Sequence, residues 1–500
     1  MHTNELSPHA PDMFAERRAA RRAALACMVT LAVALGIGRF AFTPLLPLML
    51  RGAASGQPHL DIQHGGWLAS FNYAGYFVGA VACATLRVEP SRMVRAGLVA
   101  TVLLTLAMGV ASQFWVLALV RFIGGAVSAV TFVFASQWGL RRLAELGAHA
   151  WSGVIYTGPG VGIVGTGLLV SAAGGYSASA GWISFGVIAA ILSIVVWPVF
   201  GDLTSAGRGR AQDCETGSNG GTQTYADRRA VSEQSARGQS ASAWSAASES
   251  ARGQPVQSQL AQSHPARSNP AQSQPAQSQP AQSLPAQSHP ARSHPAQSHA
   301  ATIPSQPHRS DAFWLIVLYG VPGFGYIITA TFLPVIAHHA LPGSPWPDLF
   351  WPMFGAALVV GALLAARLPA HWDNRTLLAA CYMLQAVGIA FGIIWPTAAG
   401  FSFGSILIGL PFTAITLFAM REARRLRGDD AAGLMGYATA AYGVGQIVGP
   451  LVAAPIAGHT GSFSLALWLA AFALVLGAVG LIAVAALPHG RARPLKCSCS

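Results

Sequence analysis

Apolar runs of about twenty residues, separated by short polar breaks, recur along this chain in two sets. The first set lies at roughly 23–50, 66–86, 93–111, 113–139, 150–173 and 180–200, and the second at roughly 312–337, 348–368, 376–396, 399–420, 431–457 and 463–487. A helix needs about 20 apolar residues to cross a bilayer. The pattern therefore predicts an all-α membrane protein with twelve transmembrane helices in two six-helix bundles. The expected organisation is a tail over 1–22, a bundle over 23–200, a linker over 201–311, a bundle over 312–487 and a tail over 488–500. Arg17, Arg18, Arg21 and Arg22 before an apolar run resemble the start of a secretory signal. That run is too long and lacks a small-residue cleavage site, so it is read as a first membrane helix.

The polar breaks differ in charge, and the difference orients the chain. Arginines fill the N-terminal tail, the second-to-third connection (Arg87, Arg92, Arg95), the fourth-to-fifth (Arg141, Arg142) and the tenth-to-eleventh (Arg421, Arg424, Arg425, Arg427). The alternate connections around Ser112, Gly174, Ala398 and Thr460 carry none. Cytoplasmic loops hold the excess of Lys and Arg, which predicts cytoplasmic N and C termini and a cytoplasmic linker. Trp67, Trp115, Trp138, Trp151, Trp182, Trp314 and Trp351 fall near predicted helix ends, where an interfacial aromatic belt is expected.

Within the linker a five-residue unit of the type AQSxP repeats from Ala261 to Ala300. Each unit offers little beyond alanine for burial and includes a proline without an N–H, so a disordered, partly extended segment is expected. Its His264, His289, His294 and His299 lack any feature that would fix a metal geometry, and no metal site is assigned. The flanking halves echo each other: "FTPLLP" with "ATFLPV", "GAVACATLR" with "GALLAARLP", and "GVGIVG" with "GVGQIVG", in the same order. Two similar halves joined by a linker are a common plan of secondary transporters, with the substrate site at the midplane between them.

Composition supports a membrane protein: 53% of the 500 residues are hydrophobic and 10% charged, against about 25% charged in soluble domains. The isoelectric point near 10.0 is not a nucleic-acid footprint, because the basic residues sit at helix ends and in the linker. The six cysteines show no disulfide or zinc spacing. "GVGIVG" lies within a membrane helix with no preceding strand, so it does not signal nucleotide binding. No cofactor is implied, and no cluster of nucleophile, base and orienting group marks an enzyme.

Four stretches, "GIGRFAFTPLLPLM" (36–49), "GWLASFNYAGYFVGA" (66–80), "GFGYIITATFLPVIA" (323–337) and "GYATAAYGVGQIVGP" (436–450), resemble the major facilitator superfamily. They resemble its YbfB/YjiJ-type branch of bacterial transporters in particular. The resemblance implies two pseudo-symmetric bundles, a multi-pass location in the bacterial inner membrane and a monomer. "RFIGGAVSA", from Arg121 to Ala129, matches the superfamily's fourth-helix pattern, whose arginine the family associates with proton-linked transport. The second-to-third connection keeps Gly79, Arg87, Arg92 and Arg95 but has Glu89 rather than the usual aspartate. The fifth-helix antiporter pattern is half met, with Gly158, Pro159 and Gly162 present and Ile163 in place of a glycine.

Arg39 and Arg121 stand inside predicted helices. Arg39 lies 16 residues along the first and Arg121 lies 17 residues back from Trp138 on the antiparallel fourth, depths of about 24 and 26 Å from the same side at 1.5 Å per residue. In the superfamily fold both helices line the central cavity, so the resemblance implies that the two arginines share it. A charge at mid-membrane costs at least ~2.5 kcal/mol and faces a bundle interior or wet cavity. No Asp or Glu lies inside any predicted helix; Asp311, Asp348 and Glu422 sit at ends. One reading is that an organic anion supplies the missing counter-charge, for which the planar guanidinium fork is suited. The other is structural: Arg39 bonds backbone carbonyls freed by Pro44 and Pro47 or snorkels toward the outer interface, and Arg121 does the same on the fourth helix.

Asn72, Tyr73, Tyr76, Gln137, Tyr156, Tyr326, Thr331, Gln385 and Gln446 offer further hydrogen bonds, each weighed against simple helix packing. Tyr156, Tyr326 and Thr331 neighbour glycine- or proline-broken segments, where transporter sites form. Gly158, Gly162, Gly445 and Gly449 are expected to permit close helix approach, and Pro159 and Pro450 to bend their helices. The leading expectation is a secondary transporter of a small organic anion. The alternatives are an exporter of neutral or amphiphilic compounds by antiport and a transporter-like sensor using the linker and tail.

Overall fold

A computed structural model of the protein describes residues 10–51, 60–83, 86, 88–173, 177–201, 308–369, 371–428 and 431–486. The predicted linker, apart from its two ends, the tail from 488 and Arg87 lie outside these residues. A helix occupies each of the twelve predicted stretches. In chain order they are α1 (Ala15–Leu50), α2 (Ile62–Ala82), α3 (Pro90–Val110), α4 (Phe114–Glu145), α5 (Ser152–Ala172), α6 (Ala178–Phe200), α7 (His308–Ala340), α8 (Pro347–Arg367), α9 (Asn374–Ile394), α10 (Ala398–Arg427), α11 (Ala431–Thr460) and α12 (Ser464–Ala486). Helical backbone leading into α1 begins at Ala10, inside the expected tail.

Among the described residues eleven helices are long and apolar enough to cross a membrane. Helix α2 falls outside that set because it carries Gln63, His64, Ser70, Asn72 and two tyrosines, and it hides several of them: Ser70, Asn72 and Tyr73 are buried. Asp61 caps its start by accepting from the His64 N–H at 2.7 Å, which satisfies one of the orphan donors of a first turn.

Small residues set the helix spacing, and they do so alike in both halves. Gly75 and Gly79 of α2 lie on the α4 backbone at Phe122 and Ala126, and Gly361 of α8 lies on α10 at Leu410. Gly158 and Gly162 of α5 rest on α1 at Met28, Ala32 and Gly36, while Gly445 and Gly449 of α11 rest on α7. Helix α5 breaks at Tyr156 and Thr157, and Pro159 stands in the first turn of the segment that resumes at Gly158. Pro450 lies inside α11, and its carbonyl faces Gly66 of α2. Gly165, by contrast, faces nothing within 4 Å among the described residues. Gly75→Ala is expected to lower stability in detergent by about 1–3 kcal/mol, the usual cost of overpacking, whereas Gly165→Ala leaves the unfolding midpoint unchanged.

The tryptophans depart from the expected belt. Trp67, Trp115 and Trp314 are exposed, but Trp138, Trp182 and Trp351 are fully buried. Ring packing explains this for two of them: Trp351 stacks on Phe354 at 5.0 Å and Trp138 meets Phe200 edge-on at 4.7 Å.

The halves meet along α2 with α11, α5 with α8, and the end of α1 with α7. Helix starts and ends place Arg17 to Arg22, Arg92, Arg95, Arg141, Arg142 and Arg421 to Arg427 on one end of the bundle, hereafter the arginine-rich face.

Candidate functional site

The first helix changes pitch before it reaches Arg39. Residues Ala32–Phe40 form a π-helix between α-helical Ala10–Leu31 and Phe42–Leu50. Carrying the wider pattern on from Arg39 would require an N–H at position 44, which is a proline. The Arg39 carbonyl instead accepts both terminal nitrogens of Arg121 at 3.4 Å, and Arg121 Nε donates to the Leu68 carbonyl at 3.5 Å. The Arg121 guanidinium also lies over the Phe42 ring at 4.5 Å. Asn72 donates to the Arg121 carbonyl at 2.8 Å, tying α2 to the same point.

The Arg39 side chain points the other way, toward the second half. Its guanidinium sits 4.0 Å over the Tyr76 ring and 5.0 Å from that of Tyr73. One terminal nitrogen donates to Gln446 Oε1 at 3.2 Å, and among the described residues Nε has no hydrogen-bond partner. Gln446 Nε2 in turn donates to the Tyr326 hydroxyl. Tyr326 stacks on Tyr442 at 6.0 Å and meets Phe412 edge-on at 5.0 Å, and Tyr442 stacks on Tyr319 at 5.0 Å.

Arg39, Arg121, Asn72, Tyr76 and Tyr326 thus form one connected centre. Thr331 joins it through a 2.9 Å hydrogen bond with the Tyr73 hydroxyl. Tyr156 stands apart, at the break in α5 beside Phe132 at 6.2 Å. Gln385 is also elsewhere, donating to the Ile408 carbonyl at 3.5 Å between α9 and α10. Sequence reasoning had not singled out Tyr319, Tyr442 or Phe412. Their signal was helical spacing: Tyr319 and Tyr326 lie seven apart, and Tyr442 and Gln446 four apart, each pair on one helix face.

Both arginines are buried, at 5% exposure for Arg39 and 3% for Arg121. Among the described residues no ion pair reaches either one; their partners are carbonyls, amides and rings. The structural reading describes Arg121 well: of the two carbonyls it bonds, that of Arg39 is the one left without a π-helical donor by Pro44, and the other belongs to Leu68 of α2. It does not describe the Arg39 side chain, whose hydrogen bond to Gln446 crosses to the other half.

The buried carboxylates are at the arginine-rich face. Arg375 binds Asp311 at 2.9 Å and Glu422 at 2.7 Å and donates to the Val484 carbonyl at 3.1 Å. Glu422 also binds Arg425 at 2.6 Å. Asp311 and Glu422 are at helix ends as expected, yet they are 6% and 1% exposed, closed in by an arginine at the start of α9. Glu89 pairs locally with Arg92 at 2.9 Å on the surface.

Hydrogen bonds between the halves extend from the centre to the face opposite the arginines. Ser70 donates to the Ile447 carbonyl at 2.9 Å, Thr43 to the Ala330 carbonyl at 3.0 Å, and Arg51 contacts His338 at 3.5 Å. His338 in turn pairs with Asp348 at 2.8 Å.

Comparison with known proteins gives a family and a fold. A family model described as "Uncharacterised MFS-type transporter YbfB" matches residues 31–222 and 282–482. A search of curated protein sequences finds no match. Among solved structures, the nucleoside transporter NupG superposes with a TM-score of 0.57 at 10% identity, covering 94% of this chain and 100% of that one. A point mutant of NupG gives a TM-score of 0.59 at 11% identity, covering 92% and 99% of the two chains.

Proposed function

Since the chain belongs to the family of YbfB-type major facilitator transporters, and is a multi-pass membrane transporter rather than an enzyme, we propose that its cargo is a small organic anion taken at the Arg39 centre. The observation that carries this reading is a buried guanidinium pair whose hydrogen-bond partners are all neutral. Two such charges at mid-membrane cost several kcal/mol unless something anionic approaches them. Arg39 is the group that meets the cargo, and its open Nε is the donor in waiting. Arg121 positions it, holding the carbonyl of the turn from which the side chain departs.

The same geometry couples binding to motion. Gln446 Oε1 is the acceptor that Arg39 uses across the halves. A carboxylate inserted there takes the Arg39 donors and replaces that bridge, so an occupied centre has a different link between halves from an empty one. The Gln446 amide and the Tyr326 hydroxyl stand within reach as second donors. Alternating access then requires the bonds of Thr43, Ser70 and Tyr73 to break on the opposite face. The glycine contacts of α5 and α11 hold each half as a unit while this happens.

In this reading α2 is the twelfth span, its low apolarity tolerated because its polar side faces the centre. The arginine-rich face is cytoplasmic, the membrane is the bacterial inner membrane, and the working unit is a monomer. Export of a neutral or amphiphilic compound is favoured instead by the ring stack of Tyr319, Tyr442, Tyr326 and Phe412, which offers flat apolar surface to an uncharged cargo.

The test is thermal unfolding of the detergent-purified protein with small carboxylates, organic cations and neutral solutes, nucleosides among them. A ligand of the native state alone raises stability by about 2.7 kcal/mol at a hundred times its dissociation constant. Carboxylates are expected to raise the midpoint. A response confined to neutral solutes would overturn the anion reading in favour of the second.

A further inference from the structure

The four arginines before the first apolar run frame a cavity far from the transport centre. Arg17, Arg18, Arg21 and Arg22 are all exposed, and they line an opening of about 880 Å³. That volume is within the ~300–1,000 Å³ of small-molecule sites. Their spacing places them on one face of the helix leading into and beginning α1. Two turns further on, the same face presents Leu25, Ala26 and Val29, which also line the cavity. The opposite wall is Val195, Val196 and Val199 at the end of α6, and Trp151 before α5 closes a third side. Among the described residues no carboxylate lines the cavity; Glu16 is on the same helix but is not part of the lining.

The cavity is charged at one end and greasy at the other. Its apolar wall continues down α6 as outward-facing surface: Val195 is 66% exposed, Ile194 71% and Ile191 56%. A free phosphate or a soluble polyanion would use the arginines and leave this wall bare. A phospholipid uses both, with its phosphate among the guanidiniums and its chains along the valines and isoleucines. Basic pockets between membrane helices are suited to anionic headgroups, and an indole at the interface is a common neighbour of them.

We propose that this cavity is a binding site for an anionic phospholipid, such as phosphatidylglycerol or cardiolipin, of the leaflet at the arginine-rich face. It holds the cytoplasmic start of α1 against the end of α6 within the first half. The site is separate from the Arg39 centre and does not depend on what that centre carries.

Native mass spectrometry of the delipidated full-length protein, titrated with phosphatidylglycerol or phosphatidylcholine in the same detergent, tests it. The expected result is retention of phosphatidylglycerol well above phosphatidylcholine. Millimolar inorganic phosphate should not displace it. A surface arginine contributes about 1 kcal/mol to attraction for an anionic membrane, or roughly five-fold. The Arg17→Gln, Arg18→Gln, Arg21→Gln triple variant is thus expected to lose on the order of a hundred-fold of the preference. Val199→Trp, which fills the apolar wall and keeps every charge, should lower retention of phosphatidylglycerol as well. Equal retention of the two lipids, displacement by inorganic phosphate, or a triple variant that binds like the native protein would each overturn the proposal.

Discussion

Arg375→Met is expected to be among the most damaging single changes outside the transport centre, lowering unfolding stability by about 3–5 kcal/mol, the usual cost of removing one partner from a buried ion pair. The arginine is 4% exposed and binds Asp311 and Glu422 directly. Its loss leaves two carboxylates in a low-dielectric site without the cation between them. Glu422 keeps Arg425, but that side chain is 54% exposed and screened by water. The first half holds its charges differently. Arg92 with Glu89 and Arg142 with Glu145 are surface pairs, and Arg92→Ala should cost less than about 1 kcal/mol. Detergent melts of both variants check the contrast; similar small losses would show that the buried cluster is not what braces the second half.

Arg39→Gln and Arg121→Gln are expected to diverge although the two residues touch. Arg121→Gln removes the donors to the Arg39 and Leu68 carbonyls. A buried polar group left unmet costs about 1–3 kcal/mol, so this variant should melt early without any ligand. Arg39→Gln gives up a single donor, to Gln446 Oε1, against removal of a buried charge that costs at least ~2.5 kcal/mol, and the ligand-free protein should melt no earlier than native. For cargo the order reverses. Truncating one member of a buried charge pair costs about 2–5 kcal/mol of binding, so Arg39→Gln should weaken carboxylate binding by roughly thirty-fold or more. Equal melts and equal binding losses in the two variants would contradict the division of labour.

Much of this was legible in the chain because apolarity and length alone mark membrane helices. Arg39 and Arg121 were legible for the same reason: charge is so costly in an apolar run that it marks the interior. Their common depth was foreseeable from rise per residue, and their place in one centre only from what the resemblance implies for the first and fourth helices. Their different orientations were not. That depends on a π-turn before Phe40 and on Pro44, and periodicity does not distinguish a π-turn from an α-turn. Gln446 looked like any packing amide until the two halves were brought together, because no local pattern records a partner more than four hundred residues away. The Arg375 cluster was missed for a simpler reason: Asp311, Arg375 and Glu422 each sit at the end of a different helix, where charges are ordinarily solvated. Trp138, Trp182 and Trp351 show the converse error, since a position near a helix end says nothing about which side of the helix is covered. Tyr156 was drawn in by the broken segment beside it; the structure places it at that break, apart from the Arg39 centre, next to where Gly158 and Gly162 pack on α1.

The most direct measurement is the thermal shift produced by the best-stabilising carboxylate of the panel on native protein and on Arg39→Gln in parallel, at equal ligand concentration. The account predicts a clear upward shift for the native protein and none for the variant, whose ligand-free midpoint stays at or above the native value. The same shift in both proteins would place the anion elsewhere and leave Arg39 a structural residue.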